Sequence, residues 1–164
     1  MAKAHVYAMA AHASVRGKLM YTGEPHVVHL AEVAQRVAAI PGATEDMVAA
    51  AWLHDVVKHT GCTSTDIHIG FGADISRLVG WLTNARERGV EGAPPEVQSI
   101  LCAELISNIR LIAGHDPEFG RVWFPEQRSL LENVTKADPG ILDEAHKLLD
   151  EAIAHVDSIH NGAV

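Results

Sequence analysis

His54-Asp55 is the most chemically loaded dipeptide in the chain, set between Ala49-Ala50-Ala51-Trp52-Leu53 and Val56-Val57. Polar groups in such apolar company need partners, because an unpaired buried charge costs roughly several kcal/mol even after relaxation. A divalent cation satisfies both side chains, since imidazole nitrogen and carboxylate oxygen both ligate zinc, manganese and iron. Adjacent helical positions diverge by about 100°, so a shared ion must lie between their faces. A core histidine bonded to a helix carbonyl, with Asp55 in a salt bridge, is the alternative. His29 lies one helix upstream, with His26 one turn before it. Glu104 stands in a downstream apolar helix, with Asn108 one turn later on the same face. Three helices therefore each offer a metal-compatible group.

The elements that must position these residues read as helices almost throughout. Leu30, Val33, Ala34, Val37 and Ile40 follow helical spacing until Pro41-Gly42 stops the run. Thr44 reads as an N-cap with Glu45 and Asp46 in the first turn, opening a helix that continues through Val56 toward Gly61. Thr63 and Asp66 have capping-box spacing for a short helix ending near Gly70, and another helix spans Ala73 to Arg86. Pro94 or Pro95 opens the next, with a buried stripe of Val97, Leu101, Leu105, Ile109 and Ile112. Pro117 and Pro125 punctuate the segment after it. Asp138-Pro139 then starts a last helix lined by Leu142, Ala145, Leu149, Ala152, Ile153 and Val156. No repeat or second domain is evident, so the expectation is a single all-α domain over residues 1–164.

Composition limits the function classes. The 164 residues carry 21 acidic against 13 basic side chains, a formal charge of −8, which argues against nucleic-acid or anionic-membrane binding. No export signal stands out, and no segment reads as a membrane span. Cys62 and Cys102 lack a CxxC partner and read as reduced thiols in a cytoplasmic protein. Eleven histidines direct attention to metal binding. Of these, His5, His115, His146, His155 and His160 fall near ends or on polar faces. His12 reads as a structural hydrogen-bonding residue, and His68 as a weak candidate for a second metal site with His59.

Four segments resemble the HD-domain phosphohydrolases of the RelA/SpoT type, particularly the small stand-alone SpoT homologues. The first is Tyr21-Thr22-Gly23-Glu24-Pro25-His26-Val27-Val28-His29, similar to a Gly-x-Pro-Tyr-x-x-His opening. Leu53-His54-Asp55-Val56-Val57-Lys58-His59-Thr60 resembles the central His-Asp motif, and the stretch from Asp66 to Thr83 resembles the family segment next in order. Leu101-Cys102-Ala103-Glu104-Leu105 through Asn108 and Arg110 resembles a lysine-leucine-alanine-aspartate helix. Arg128, near Trp123, falls where those homologues also carry Arg. The resemblance spans about residues 11–155. It implies an HD-type helical bundle with one divalent metal on His29, His54, Asp55 and Glu104. Manganese is favoured; zinc, iron or magnesium would also suit such ligands.

The implied activity is hydrolysis of a nucleotide phosphate ester by activated water, foremost removal of the 3′-pyrophosphate of guanosine-3′,5′-bis(diphosphate). Arg16, Lys18, Tyr21, His26, Asn108, Arg110 and Arg128 are the substrate-binding candidates. The sequence departs from the family at three places. Glu104 replaces Asp, and His26 replaces Tyr. Lys58 and His59 replace the two acids that follow the His-Asp pair, which makes them the catalytic candidates here. Neutral His59 can act as a base. Lys58 either neutralises phosphate charge or pairs with Asp55. These departures leave open a nucleotidase, deoxynucleotide or NADPH phosphohydrolase, or a nucleotide-binding regulatory module. The expected partner is a small phosphate ester, with a homo-oligomer possible.

Overall fold

The computed structural model describes residues 2–161, and among them the chain is helical, with one isolated bridge between Lys18 and Pro25. It forms two compact units, Met1–Gly89 and Val90–Val164. The first contains α1 (Ala2–Ser14), α2 (Val27–Ala38), α3 (Glu45–Leu53), α4 (Val56–His59), α5 (Ser64–Phe71) and α6 (Ala73–Arg88). The second contains α7 (Pro95–His115), α8 (Pro117–Leu131) and α9 (Pro139–Asn161).

In the first unit α3 is central, packed against α1, α2 and α6. Its run of Met47 to Ala51 is buried on every side, which suits a helix enclosed by others. Thr44 caps it, its hydroxyl accepting from the Met47 N–H at 3.2 Å. The Thr63–Asp66 capping box is complete in both directions and starts α5. The expected continuous helix from Thr44 toward Gly61 is corrected: it breaks at His54 and Asp55, and α4 restarts at Val56. Asp55 takes φ −102° and ψ −5°, in the bridge region between helix and strand.

α1 ends in a Schellman motif. The Arg16 N–H bonds the Ala13 carbonyl at 3.1 Å, and the Gly17 N–H bonds the His12 carbonyl at 2.9 Å. Arg16 itself sits at φ 51°, the left-handed position that glycine normally fills.

In the second unit α7, α8 and α9 pack on one another. The single stripe expected on α7 is corrected, because Ile100, Cys102, Ala103 and Ile106 are buried as well, while Leu101 is half-buried. With 21 residues, α7 is also long and apolar enough to cross a membrane by length and composition, contrary to expectation; 61% of that stretch is buried, as in a core helix. Gln98, fully buried, ties the unit together. Its amide donates to the Val90 carbonyl at 2.8 Å and accepts from the Thr135 and Lys136 N–H groups at 2.9 and 2.7 Å. Pro117 opens α8, but Pro125 does not end it; the residue is exposed, so the lost backbone bond faces solvent. Gly120 is required where it stands, since a Cβ there would lie 2.6 Å from the Phe124 ring. On α9 the buried residue at the start is Ile141 rather than Leu142. Asp138 caps that helix, accepting from Ile141 N–H at 3.1 Å.

Candidate metal centre

The break between α3 and α4 turns His54 and Asp55 toward α2. His29, His54 and Asp55 each place one donor atom within 4.8 Å of the others. All three are buried, at 6%, 1% and 6% exposure. His54 Nδ1 lies 2.7 Å from the Ala51 carbonyl, three residues back. A carbonyl only accepts, so Nδ1 carries a proton, and in the neutral ring that leaves Nε2 with its lone pair. That Nε2 lies 3.4 Å from Asp55 Oδ2. The carbonyl bond is the one the core-histidine alternative required, but here it also fixes the tautomer that a metal ligand needs.

Around this trio stand three more imidazoles. His26 Nε2 is 3.0 Å from Asp55 Oδ2, and His59 Nε2 is 3.6 Å from Asp55 Oδ1. His12, 3% exposed, stacks on His26 with ring centroids 4.5 Å apart and planes 12° apart. Neither nitrogen of His12 has a hydrogen bond, so the structural bond expected for it is absent. Burial, and secondarily the neighbouring His26, pushes the His12 imidazole down to about 4. Burial and His54 push His29 down to about 3. Both are therefore neutral at pH 7, the state in which imidazole binds metal. Burial alone would raise the Asp55 carboxyl. The adjoining His54 ring, the hydrogen bond from His26 and the nearby His59 ring outweigh it and hold the group well below the usual carboxylate range. A neutral His29, a second imidazole from His54 and an ionised carboxylate in one buried cluster fit a divalent cation in donor type.

The remaining expected residues are distributed over both units. In the first, Arg16, Lys18 and Lys58 are exposed and Tyr21 is half-buried. Lys58 makes no ion pair among the described residues; the side chain one turn on from Asp55 that meets it is His59, 55% exposed. His68 is exposed on α5 and is not among the cluster residues. In the second, Glu104 and Asn108 are half-buried on α7. Arg110 pairs with Glu144 of α9 at 3.8 Å, and Arg128 bonds Asp150 of the same helix.

His12 was not legible as part of this cluster, although a signal existed. Ala4, Ala8 and His12 recur every fourth residue, and that stripe is the buried face of α1.

A buried two-histidine, one-aspartate cluster on an all-helical fold suits a metal-dependent phosphohydrolase of the HD type. The chain belongs to the HD domain family, whose sequence model matches residues 4–116. A solved structure described as a metazoan SpoT ortholog that hydrolyses ppGpp, with a role in starvation responses, superimposes with a TM-score of 0.80. The two are 20% identical, and the match covers 92% of this chain and 93% of the other. No curated protein matches the chain.

Proposed function

We propose that this protein removes a pyrophosphate from a nucleotide, with the 3′-pyrophosphate of guanosine-3′,5′-bis(diphosphate) as the leading substrate. The observation that carries the reading is the buried trio of His29, His54 and Asp55, with His29 neutral and the carboxylate ionised. The motif resemblance and the fold shared with the metazoan SpoT ortholog support the choice of substrate. Glu104 is proposed as the fourth ligand on the strength of the resemblance. When bound, a divalent cation, manganese being favoured, supplies Lewis acidity toward water and a phosphoryl oxygen.

The chain's own groups do the rest. His59, exposed beside Asp55, accepts the proton of the attacking water as a neutral imidazole. Lys58, Arg16 and Lys18 neutralise phosphate charge. Tyr21 and Asn108 contact the nucleoside. Arg110 and Arg128 exchange their α9 carboxylates for phosphate. Two unpaired cysteines suit a cytoplasmic location.

The test is turnover of a panel comprising guanosine-3′,5′-bis(diphosphate), NADPH and deoxynucleotides, each with manganese. Release of pyrophosphate from the first supports the reading. Turnover confined to the others moves the protein to a different phosphohydrolase specificity, the alternative favoured by Lys58 and His59. Ligand that raises the Tm and is recovered intact makes it a binding module.

A further inference from the structure

Asp55 is gripped by more imidazole than a metal ligand requires. Its Oδ2 meets His26 Nε2 at 3.0 Å, the shortest of its three histidine contacts. An ionised carboxylate only accepts, so His26 must donate from Nε2. The ring that donates is held on two sides. Its backbone N–H bonds the Gly17 carbonyl at 3.0 Å, and the Gly17 N–H bonds the His12 carbonyl at 2.9 Å. This short backbone ladder brings His12 and His26 face to face. Space at Gly17 is tight, because a Cβ there would stand 3.3 Å from His12 Nδ1 and 3.5 Å from His26 Cβ. The parallel face of His12 then closes one side of the His26 ring, and the absence of any hydrogen bond at either His12 nitrogen leaves stacking as its contribution.

We propose that His26 is a positioning residue: it orients the Asp55 carboxylate by donating Nε2–H to Oδ2, while the buried His12 ring holds His26 in plane. This role differs from the substrate contact expected for His26, and it rests on the metal-centre reading above. It is independent of whether His26 is neutral or protonated, since Nε2–H is present in both forms. Fixing Oδ2 fixes the direction in which the remaining lone pairs of Asp55 point. Outer partners of this kind typically change metal affinity about 10–100-fold when removed.

The experiment uses the full chain with five variants and two readouts. The first readout needs no metal: the NMR signals of the His26 ring nitrogens in metal-free protein, with and without D55N. A shift of the protonated Nε2 resonance in D55N is expected. The second is binding of Mn2+ by titration, with the visible spectrum of the Co2+-loaded protein reporting ligand geometry. H26F keeps an aromatic ring for the stack but removes the donor; it should lose about 10–100-fold in Mn2+ affinity and alter the Co2+ spectrum. H26Q restores an N–H donor and should recover most of both. H12F keeps the stack and should leave both near wild type, whereas H12A should shift the Co2+ spectrum. A His26 Nε2 signal indifferent to D55N, or H26F with wild-type affinity and spectrum, overturns the proposal. So does binding of two Mn2+ by the wild type and one by H26F, which would make His26 a ligand. Wild-type protein that binds neither ion while His26 still responds to D55N sinks the hydrolase reading and leaves the His26–Asp55 pair supported.

Discussion

His54 donates its Nδ1 proton to the carbonyl of Ala51 at 2.7 Å, and this bond within one helical turn sets the chemistry of the centre. It leaves Nε2, 3.4 Å from Asp55 Oδ2, as the nitrogen available to a metal. It also occupies a carbonyl of the last turn of α3, where the helix is ending.

Replacing either His54 or Asp55 with Ala should therefore abolish metal retention. In H54A the bond to the Ala51 carbonyl is lost too, and a buried acceptor without its partner costs about 1–3 kcal/mol. Elemental analysis of the purified variants and urea unfolding check both halves. Metal content equal to wild type in both variants would refute the ligand assignment.

His12 and His29 make the metal-free protein acid-sensitive. In the unfolded chain each takes up a proton near pH 6.5; folded, they resist until about 4 and 3. Between those values the unfolded state binds more protons, so stability falls as pH drops from about 6.5 through 4. The slope approaches about 1.4 kcal/mol per pH unit for each group. His12 is faced by His26, with Asp55, His59 and His54 beyond it. H12F should flatten the dependence by about half. Urea midpoints at pH 7, 6 and 5 with chelator present provide the measurement, and an identical slope in H12F would contradict the assignment.

Arg16 separates stability from binding. A non-glycine residue in the left-handed region costs about 1–2 kcal/mol, while glycine adds about 0.5–1 kcal/mol of unfolded-chain entropy. The two nearly offset, so R16G should be as stable as wild type or up to about 1 kcal/mol more stable. R16A, which keeps the left-handed strain, should gain nothing. Both should weaken binding of the phosphate substrate equally if the guanidinium contacts it. Paired denaturation curves and KM values distinguish the effects.

His59 should carry catalysis without carrying the fold, being more than half exposed. H59A is expected to keep its Tm within a few degrees and to lose about 10²–10⁴-fold in kcat, the usual range for a general base. Manganese affinity measured in parallel separates loss of the base from loss of the ion. Full kcat in H59A would remove His59 from the mechanism.

Q98L should destabilise the second unit strongly. It leaves the Thr135 and Lys136 N–H groups without the Gln98 acceptor, at about 1–3 kcal/mol each. Thermal unfolding gives the comparison, and a loss below about 1 kcal/mol would show that those amides find other partners.

Much of this protein was determined by sequence alone. Periodicity gave the helices, and the caps at Thr44, Thr63 and Asp138 were legible, because capping depends on a side chain and a backbone N–H only a few residues apart. The clustering of His29, His54 and Asp55 was legible for a similar reason: they are polar residues on apolar helical faces, and such faces turn inward. Tertiary structure decided what depends on atoms distant in the chain. The break at His54-Asp55, where a continuous helix was expected, has no Pro or Gly beside it to announce it. The stack of His12 on His26 arises from a backbone ladder through Gly17, a geometry with no period to read. The burial of α7 on more than one face likewise depends on how many elements surround it, which hydrophobic spacing along one helix does not encode.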